Sequence, residues 1–205
     1  MTIDLYTYTT PNGYKASIML EETALPYTVH IVDIEKGEQM KPEFLALNPN
    51  NKIPVIVDRD TDQTVFESGA ILFYLAQKSG QFLPSNPQVH IETLEWLLLQ
   101  VGHVGPMMGQ LWHFRVFASF DLPYAVGRYE REVLRLFSVL DNRLAERDYL
   151  VRDYGIADIA TWPWINAYTH LALSLDAHPH LKRWHAVIKE RPAVKKGLAV
   201  PQVNH

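Results

Sequence analysis

Thr9-Thr10-Pro11-Asn12-Gly13, Asn51-Lys52-Ile53-Pro54-Val55 and Phe66-Glu67-Ser68-Gly69-Ala70-Ile71 follow one another in the first half of the chain. Each marks a change of local structure: a Pro at the opening of a helix, an Ile-Pro pair at the head of a strand, and a Ser in front of an apolar helical run. Around them the pattern is regular. Ile3 to Tyr8 and Tyr27 to Ile34 are rich in β-branched and aromatic residues, while Asn12 to Ala24 between them carries Ala16, Met19 and Leu20 at helical spacing, which predicts strand, helix, strand. Pro54 to Asp58 and Thr64 to Glu67 read as two more strands joined by the polar Arg59-Asp60-Thr61-Asp62-Gln63, and a helix from Ser68 to Lys78 follows.

A βαβ half followed by a ββα half is the order of a thioredoxin-like α/β layer. Ser79 to Pro87 then breaks every periodicity with two prolines and a glycine, as a linker does. Beyond it the strand pattern vanishes, and helical stretches run from Val89 to about Phe117, Pro123 to Arg147, Ile156 to about Leu173 and Pro179 to Arg191. In the second of these, Tyr129, Val133, Phe137, Leu140 and Leu144 form an apolar stripe opposite Arg128, Glu130, Arg131, Glu132 and Arg135, the pattern of a bundle helix. Gly102, Gly105, Pro106 and Gly109 predict a kink or break in the first. The fold class expected is α/β plus all-α: a thioredoxin-like domain over 1–80, a linker over 81–88 and a helical-bundle domain over 89–205.

The chain has 205 residues, 47 % apolar and 20 % charged, with a net charge of −4. Such a length exceeds one typical domain of about 100–150 residues. The charge excludes neither small ligands nor protein surfaces but argues against a nucleic-acid backbone as partner. With 0 Cys there is no disulfide scaffold, no thiolate metal site and no redox pair belonging to the protein. Met1 to Leu5 lacks the basic start of a signal peptide, and no apolar run reaches the roughly 18 residues of a membrane helix. The expectation is a soluble, cytoplasmic protein without membrane contact.

The three segments offer complementary chemistry. Thr10 to Gly13 would open a helix at the C-terminal end of the first strand, where α/β layers bind ligands, and its free N–H groups and the Thr10 hydroxyl would stabilise an anion such as a thiolate; a plain helix cap reads equally well. Ile53-Pro54 is a candidate cis bond. In that form it would leave the Ile53 backbone open to an extended peptide, with Lys52 beside it for a terminal carboxylate; an ordinary turn with a solvated Lys is the other reading. Ser68 is either a simple N-cap or, with the amides behind it, a holder for an α-carboxylate while Glu67 holds the neighbouring amine.

Taken together, Thr-Pro-Asn-Gly, Pro-Asn-Asn-Lys-Ile-Pro and Phe-Glu-Ser-Gly-Ala-Ile resemble the cytosolic glutathione transferases, and the bacterial nu class in particular. Gln100-Val101-Gly102, Gly105-Pro106-Met107, Pro123-Tyr124-Ala125, Arg128-Tyr129, Ile156-Ala157-Asp158-Ile159-Ala160 and Trp162-Pro163-Trp164 extend the resemblance over essentially the whole chain. It implies the glutathione transferase fold, a homodimer, and glutathione or glutathione disulfide as ligand, with no metal. It places Thr10 and Asn12 at the sulfur, Gln39 and Lys52 near the glycyl carboxylate, Ile53 on the cysteinyl backbone, and Glu67 and Ser68 at the γ-glutamyl end, with Arg128 approaching from the helical domain. The class is associated with glutathione-dependent disulfide reduction, and a chain lacking Cys suits a reaction in which both thiols arrive with the ligand. Conjugation of electrophiles is the companion activity. The alternative is a glutathione-binding or regulatory module without turnover.

Some residues stand apart from this pattern. Tyr6 or Tyr8 could instead serve the sulfur, but alternation along the strand makes at least one of them a packing or exposed residue. Gly155 stands where the family commonly has Ser or Thr, so slightly weaker local stability and a structural Asp158 are expected. His178, His180 and His185 lack metal-site spacing and read as solvated helix-end residues. Lys182, Arg183, Lys189, Arg191, Lys195 and Lys196 read as a solvated basic face, and Trp112, His113, Phe114 and Phe117 as an electrophile pocket or as packing.

Overall fold

The computed structural model describes residues 2–202. Two compact units are present, one joining the residues up to Leu83 with those from Glu190 onward, the other Pro84–Lys189. The first unit is built on β1 (Ile3–Thr7), α1 (Pro11–Thr23), β2 (Tyr27–Ile31), α2 (Pro42–Leu47), β3 (Val55–Asp58), β4 (Gln63–Phe66) and α3 (Ser68–Ser79). The four strands form one sheet in the order β2-β1-β3-β4. β1 runs parallel to β2, with Ile3 opposite Tyr27, and antiparallel to β3, with Tyr6 opposite Val55; β3 and β4 form the expected hairpin.

Alternation along β1 sends Ile3 and Leu5 to one face and Tyr6 to the other. On the Tyr6 side Val32, Phe44 and Val55 make a small apolar cluster, joined by Leu47 and Ile53. This cluster explains α2, which sequence periodicity passed over: six residues are too few to show a period, yet Phe44 and Leu47 cover the sheet. A short 3₁₀ turn, Glu38–Met40, precedes it.

In the second unit α4 (Pro87–Leu99), α5 (Gly105–Trp112), α6 (Pro123–Leu144), α7 (Ile156–Asn166) and α8 (Pro179–Lys189) follow in order. The break expected near Gly102 is a π turn, Gln100–Val104, and a second one, His113–Phe117, closes α5. The helix widens and continues. On α6 the stripe is buried at Val133, Leu136, Phe137, Leu140 and Leu144, whereas Tyr129 is half-buried. Its Asp141 Oδ1 accepts from the amides of His180 and Leu181 at 2.8 and 2.9 Å and so caps the first turn of α8.

The final helix, α9 (Pro192–Leu198), belongs with the first unit. It packs on α1 at Gly197, where a Cβ would come within 2.7 Å of the Ile18 backbone, so only glycine allows this approach. Ser17 Oγ donates to the Gly197 carbonyl at 2.8 Å, and Arg191 pairs with Glu22 at 2.7 Å. The helical domain expected to run to 205 therefore differs from the compact unit, which ends at Lys189.

The basic stretch is largely ion-paired: Lys182 with Asp176, Arg183 with Asp148 and Lys195 with Glu190, each at 2.6 Å. Two of the three histidines expected in solvent are buried. His178 lies edge-on to Phe137, with Nε2 3.2 Å from Ser138 Oγ, and His185 stacks on Trp162. Burial in this apolar setting pushes His185 down to about 4.

Candidate functional site

The three segments meet in one cleft of the first unit, of about 200 Å³. Asn12 reaches it from the first turn of α1, Asn48, Asn50, Lys52, Ile53 and Pro54 from the turn before β3, and Glu67 and Ser68 from the junction of β4 and α3. These are the C-terminal end of β1, the head of β3 and a helix start, places where backbone polar groups are not consumed by the sheet.

The opening of α1 is set by Thr10, whose Oγ1 accepts from the Gly13 amide at 3.0 Å as a true N-cap, with Pro11 at the first helical position. Capping uses a lone pair and leaves the hydroxyl proton to donate. Thr10 itself does not line the cleft, but it fixes the turn from which Asn12 does. Gly13 is required there, because a Cβ would meet the Tyr8 carbonyl at 2.2 Å.

The turn carrying Lys52 and Ile53 hangs on Asn48, which is 1 % exposed. Its Nδ2 donates to the Lys52 carbonyl at 2.7 Å and its Oδ1 accepts from the Asn50 amide at 2.9 Å, an Asx-type turn that holds the loop from inside. Ile53-Pro54 is cis. The side chain of Ile53 packs on the Phe44 cluster.

At the third segment the helix N-cap is Glu67, not Ser68, and no side chain caps the helix. Glu67 sits at φ 70, a region that costs a residue with a Cβ about 1–3 kcal/mol and that clusters at functional sites. Of its two readings, Ser68 therefore does not fill the N-cap one. Its Oγ accepts from Lys15 Nζ at 3.1 Å. Lys15, only 2 % exposed, is a residue that sequence reasoning missed, since a lone Lys on a helix reads as solvated. Burial pushes it down to about 7, against the opposing charge of Glu67.

The remaining candidates lie elsewhere. Gln39 is in the 3₁₀ turn, where Nε2 donates to the Ile34 carbonyl at 3.3 Å; it does not line the cleft. Arg128 is an exposed residue of α6 in the second unit. Neither tyrosine lines the cleft: Tyr6 stacks on His30 with ring centroids 4.6 Å apart, and Tyr8 is buried, with burial and the Asp33 carboxylate holding its phenol above the ordinary value. In the second unit Trp112 stacks on Phe117 and His170, and Phe114 on Tyr129.

A cleft of this construction on a thioredoxin-like layer, in a chain with a separate helical unit, defines a class that the comparisons identify. Residues 1–77 match the family model for the glutathione S-transferase N-terminal domain, and residues 123–192 that for its C-terminal domain. The chain is 47 % identical to the disulfide-bond oxidoreductase YfcG of Escherichia coli, over 98 % of this chain and 97 % of that protein. It is similar to a glutathione transferase of Pseudomonas putida crystallised with one glutathione disulfide per subunit (TM-score 0.91, 43 % identity, 98 % and 92 % of the two chains). A Burkholderia graminis transferase with two glutathione molecules per subunit is also similar (TM-score 0.93, 42 % identity, 99 % and 90 %). The chain belongs to the glutathione S-transferase family.

Proposed function

We propose that this protein is an enzyme that reduces small disulfides with glutathione, in the manner suggested by the name of its E. coli relative and by the ligands of the two transferases above. The observation that carries the reading is the cleft itself, in a chain with 0 Cys. Ser68 and the uncapped amides of α3 suit the α-carboxylate of the γ-glutamyl group, Glu67 its ammonium, the Ile53 backbone the cysteinyl unit, and Lys52 the glycyl carboxylate, with Gln39 as a further candidate outside the cleft lining. Thr10 and Asn12 then serve the sulfur. A thiol of pKa about 8.5 needs roughly 2.7 kcal/mol to be mostly ionised at neutral pH, and each hydrogen bond to a charged acceptor supplies about 1.5–3 kcal/mol.

In the reaction, the bound glutathione thiolate attacks one sulfur of the substrate disulfide. A new S–S bond forms, the old one breaks, and the leaving thiolate takes a proton from solvent. A second glutathione thiolate then attacks the mixed disulfide, releasing glutathione disulfide and the second reduced thiol. Two glutathiones are oxidised for each disulfide reduced, and no protein sulfur takes part. The protein is further proposed to act in the cytoplasm and as a homodimer. Among the described residues no helix is long and apolar enough to cross a membrane, and exposed apolar side chains on β4 and α4 suit a second copy.

The test is glutathione-dependent reduction of 2-hydroxyethyl disulfide, measured against the uncatalysed rate at the same pH. Acceleration is expected, with kcat/KM falling by at least about tenfold in Thr10→Ala with Asn12→Ala, as one lost charged hydrogen bond requires. No acceleration by the wild-type protein would overturn the disulfide reading; unchanged turnover in the double variant would overturn the assignment of the sulfur contacts.

A further inference from the structure

We propose that Lys15 is a positioning residue of the cleft: by donating to Ser68 Oγ from behind, it commits the Ser68 hydroxyl proton to the cleft and so makes that position selective for the carboxylate of a free α-amino-acid end. The inference rests on the functional reading above and deepens it. It starts from a long side chain that has left water altogether, being 2 % exposed, and that crosses from α1 to the head of α3 to meet Ser68 Oγ at 3.1 Å.

An ammonium has three donors and no acceptor, so Ser68 Oγ is the acceptor in this bond, and its own proton must go elsewhere. The helix side is closed to it, because the first residues of a helix offer donors and not acceptors. What remains is the cleft that Ser68 lines. A hydroxyl held in that sense has its proton to give to an anion, while the ammonium already on its oxygen repels a second cation there. The buried charge behind it acts in the same direction, since a carboxylate on Ser68 Oγ would stand one hydrogen bond beyond Lys15 in a medium that screens poorly.

Glu67 completes the pair. It lines the same cleft and raises the proton affinity of Lys15, while burial lowers it to about 7. A zwitterionic end fits both: its ammonium answers Glu67 and its carboxylate answers Ser68 and Lys15. Helix α9, which also packs on α1, meets it at Gly197, and its Lys195 and Lys196 are exposed, Lys195 being bound to Glu190 at 2.6 Å. A buried lysine serving only the packing of α1 would be better replaced by a Met or Leu of similar length, because the buried charge carries a desolvation cost.

The experiment is calorimetric titration, below pH 7, of wild type, Lys15→Met, Ser68→Ala and the double variant. Two ligands are used: glutathione, and γ-aminobutyryl-cysteinyl-glycine, which lacks the α-carboxylate but keeps the ammonium and the thiol. Lys15→Met should weaken glutathione about tenfold, the loss of one charge-assisted bond, and change the analogue by less than about twofold, with the double variant no weaker than Ser68→Ala. Equal weakening of both ligands, or additive losses in the double variant, would overturn the proposal, as would unchanged glutathione binding. Wild-type protein that does not bind glutathione at all would overturn the functional reading itself.

Should Lys15→Met fail to fold, the wild-type protein supplies a second measurement. The ¹³Cε resonance of Lys15, followed through its titration, should show a higher apparent pKa with glutathione bound than with the analogue. Identical titrations in the two complexes would overturn the proposal.

Discussion

A lysine in water keeps its proton to about pH 10.5, whereas Lys15 inside the first unit releases it near 7, burial being the main cause. Below pH 7 both the folded and the unfolded chain carry this proton, and the burial cost is borne in full. Between 7 and 10.5 the unfolded chain still binds it and the folded one does not, so stability rises with pH across that window. Urea midpoints measured through this range should climb in the wild type and climb less in Lys15→Met; parallel curves would show that Lys15 titrates normally. At this scale the sequence was half readable. Thr10 was recognised as both cap and candidate, and its bond to the Gly13 amide agrees with the cap. Of the two readings left open for Ser68, the N-cap one fails, because Glu67 takes the cap at a positive φ that no composition rule anticipates. Lys15 was invisible, its partner lying 53 residues away in the chain.

The start of α7 shows what an element demands of its sequence. Gly155 offers no capping side chain, and Asp158 compensates: Oδ2 accepts from the Gly155 amide at 3.2 Å, while Oδ1 accepts from the Leu150 amide at 3.0 Å and Trp184 Nε1 at 2.8 Å. Burial pushes this carboxyl up to about 6, against the pull of those three donors. Asp158→Ala would strand all three and should cost about 3–5 kcal/mol in denaturant unfolding, while Asp158→Asn, which keeps one oxygen acceptor, should cost less. A loss below about 1 kcal/mol for Ala would mean that water replaces the carboxylate. The expectation of a structural Asp158 came from the family resemblance, but its bond to Trp184 joins α7 to α8 and needed the fold. The π turn after α4 has a similar history. Gly105 and Pro106 announced an interruption, yet a helix with one extra residue in a turn absorbs it: Pro106 falls in the first turn of α5, where no amide is missed, and Gly105 fits where a Cβ would stand 2.8 Å from Gln100 Nε2.

For the molecule as a whole, the question that the single chain leaves to experiment is how its exposed apolar surface is used. Ile91 and Leu98, seven residues apart on one face of α4, are 56 % and 63 % exposed, and Phe66 on the edge strand β4 is 39 % exposed. Large apolar side chains aligned on one helix face suit a protein interface, here proposed to be a second copy. Sedimentation of the wild type should give a dimer and that of Leu98→Arg a monomer with unchanged circular dichroism. A monomeric wild type at micromolar concentration would sink the dimer.

Local chemistry was enough to establish a strand-helix-strand half, a hairpin half and a run of helices, because turn residues and side-chain period act over a few positions and survive without context. It was also enough to gather Lys52, Ile53, Glu67 and Ser68 as candidates, since each sits where backbone polar groups must find partners outside the sheet, while the family resemblance added Asn12. Tertiary structure decided the rest: that these five line one cleft, that Asn48 holds the loop from within, that α9 returns to α1 through Gly197, and that Lys15 stands behind Ser68. Each of those contacts joins residues through space. Burial then reverses what a residue type ordinarily implies, turning a solvated lysine into a buried donor, and no pattern of neighbours along the chain carries that information.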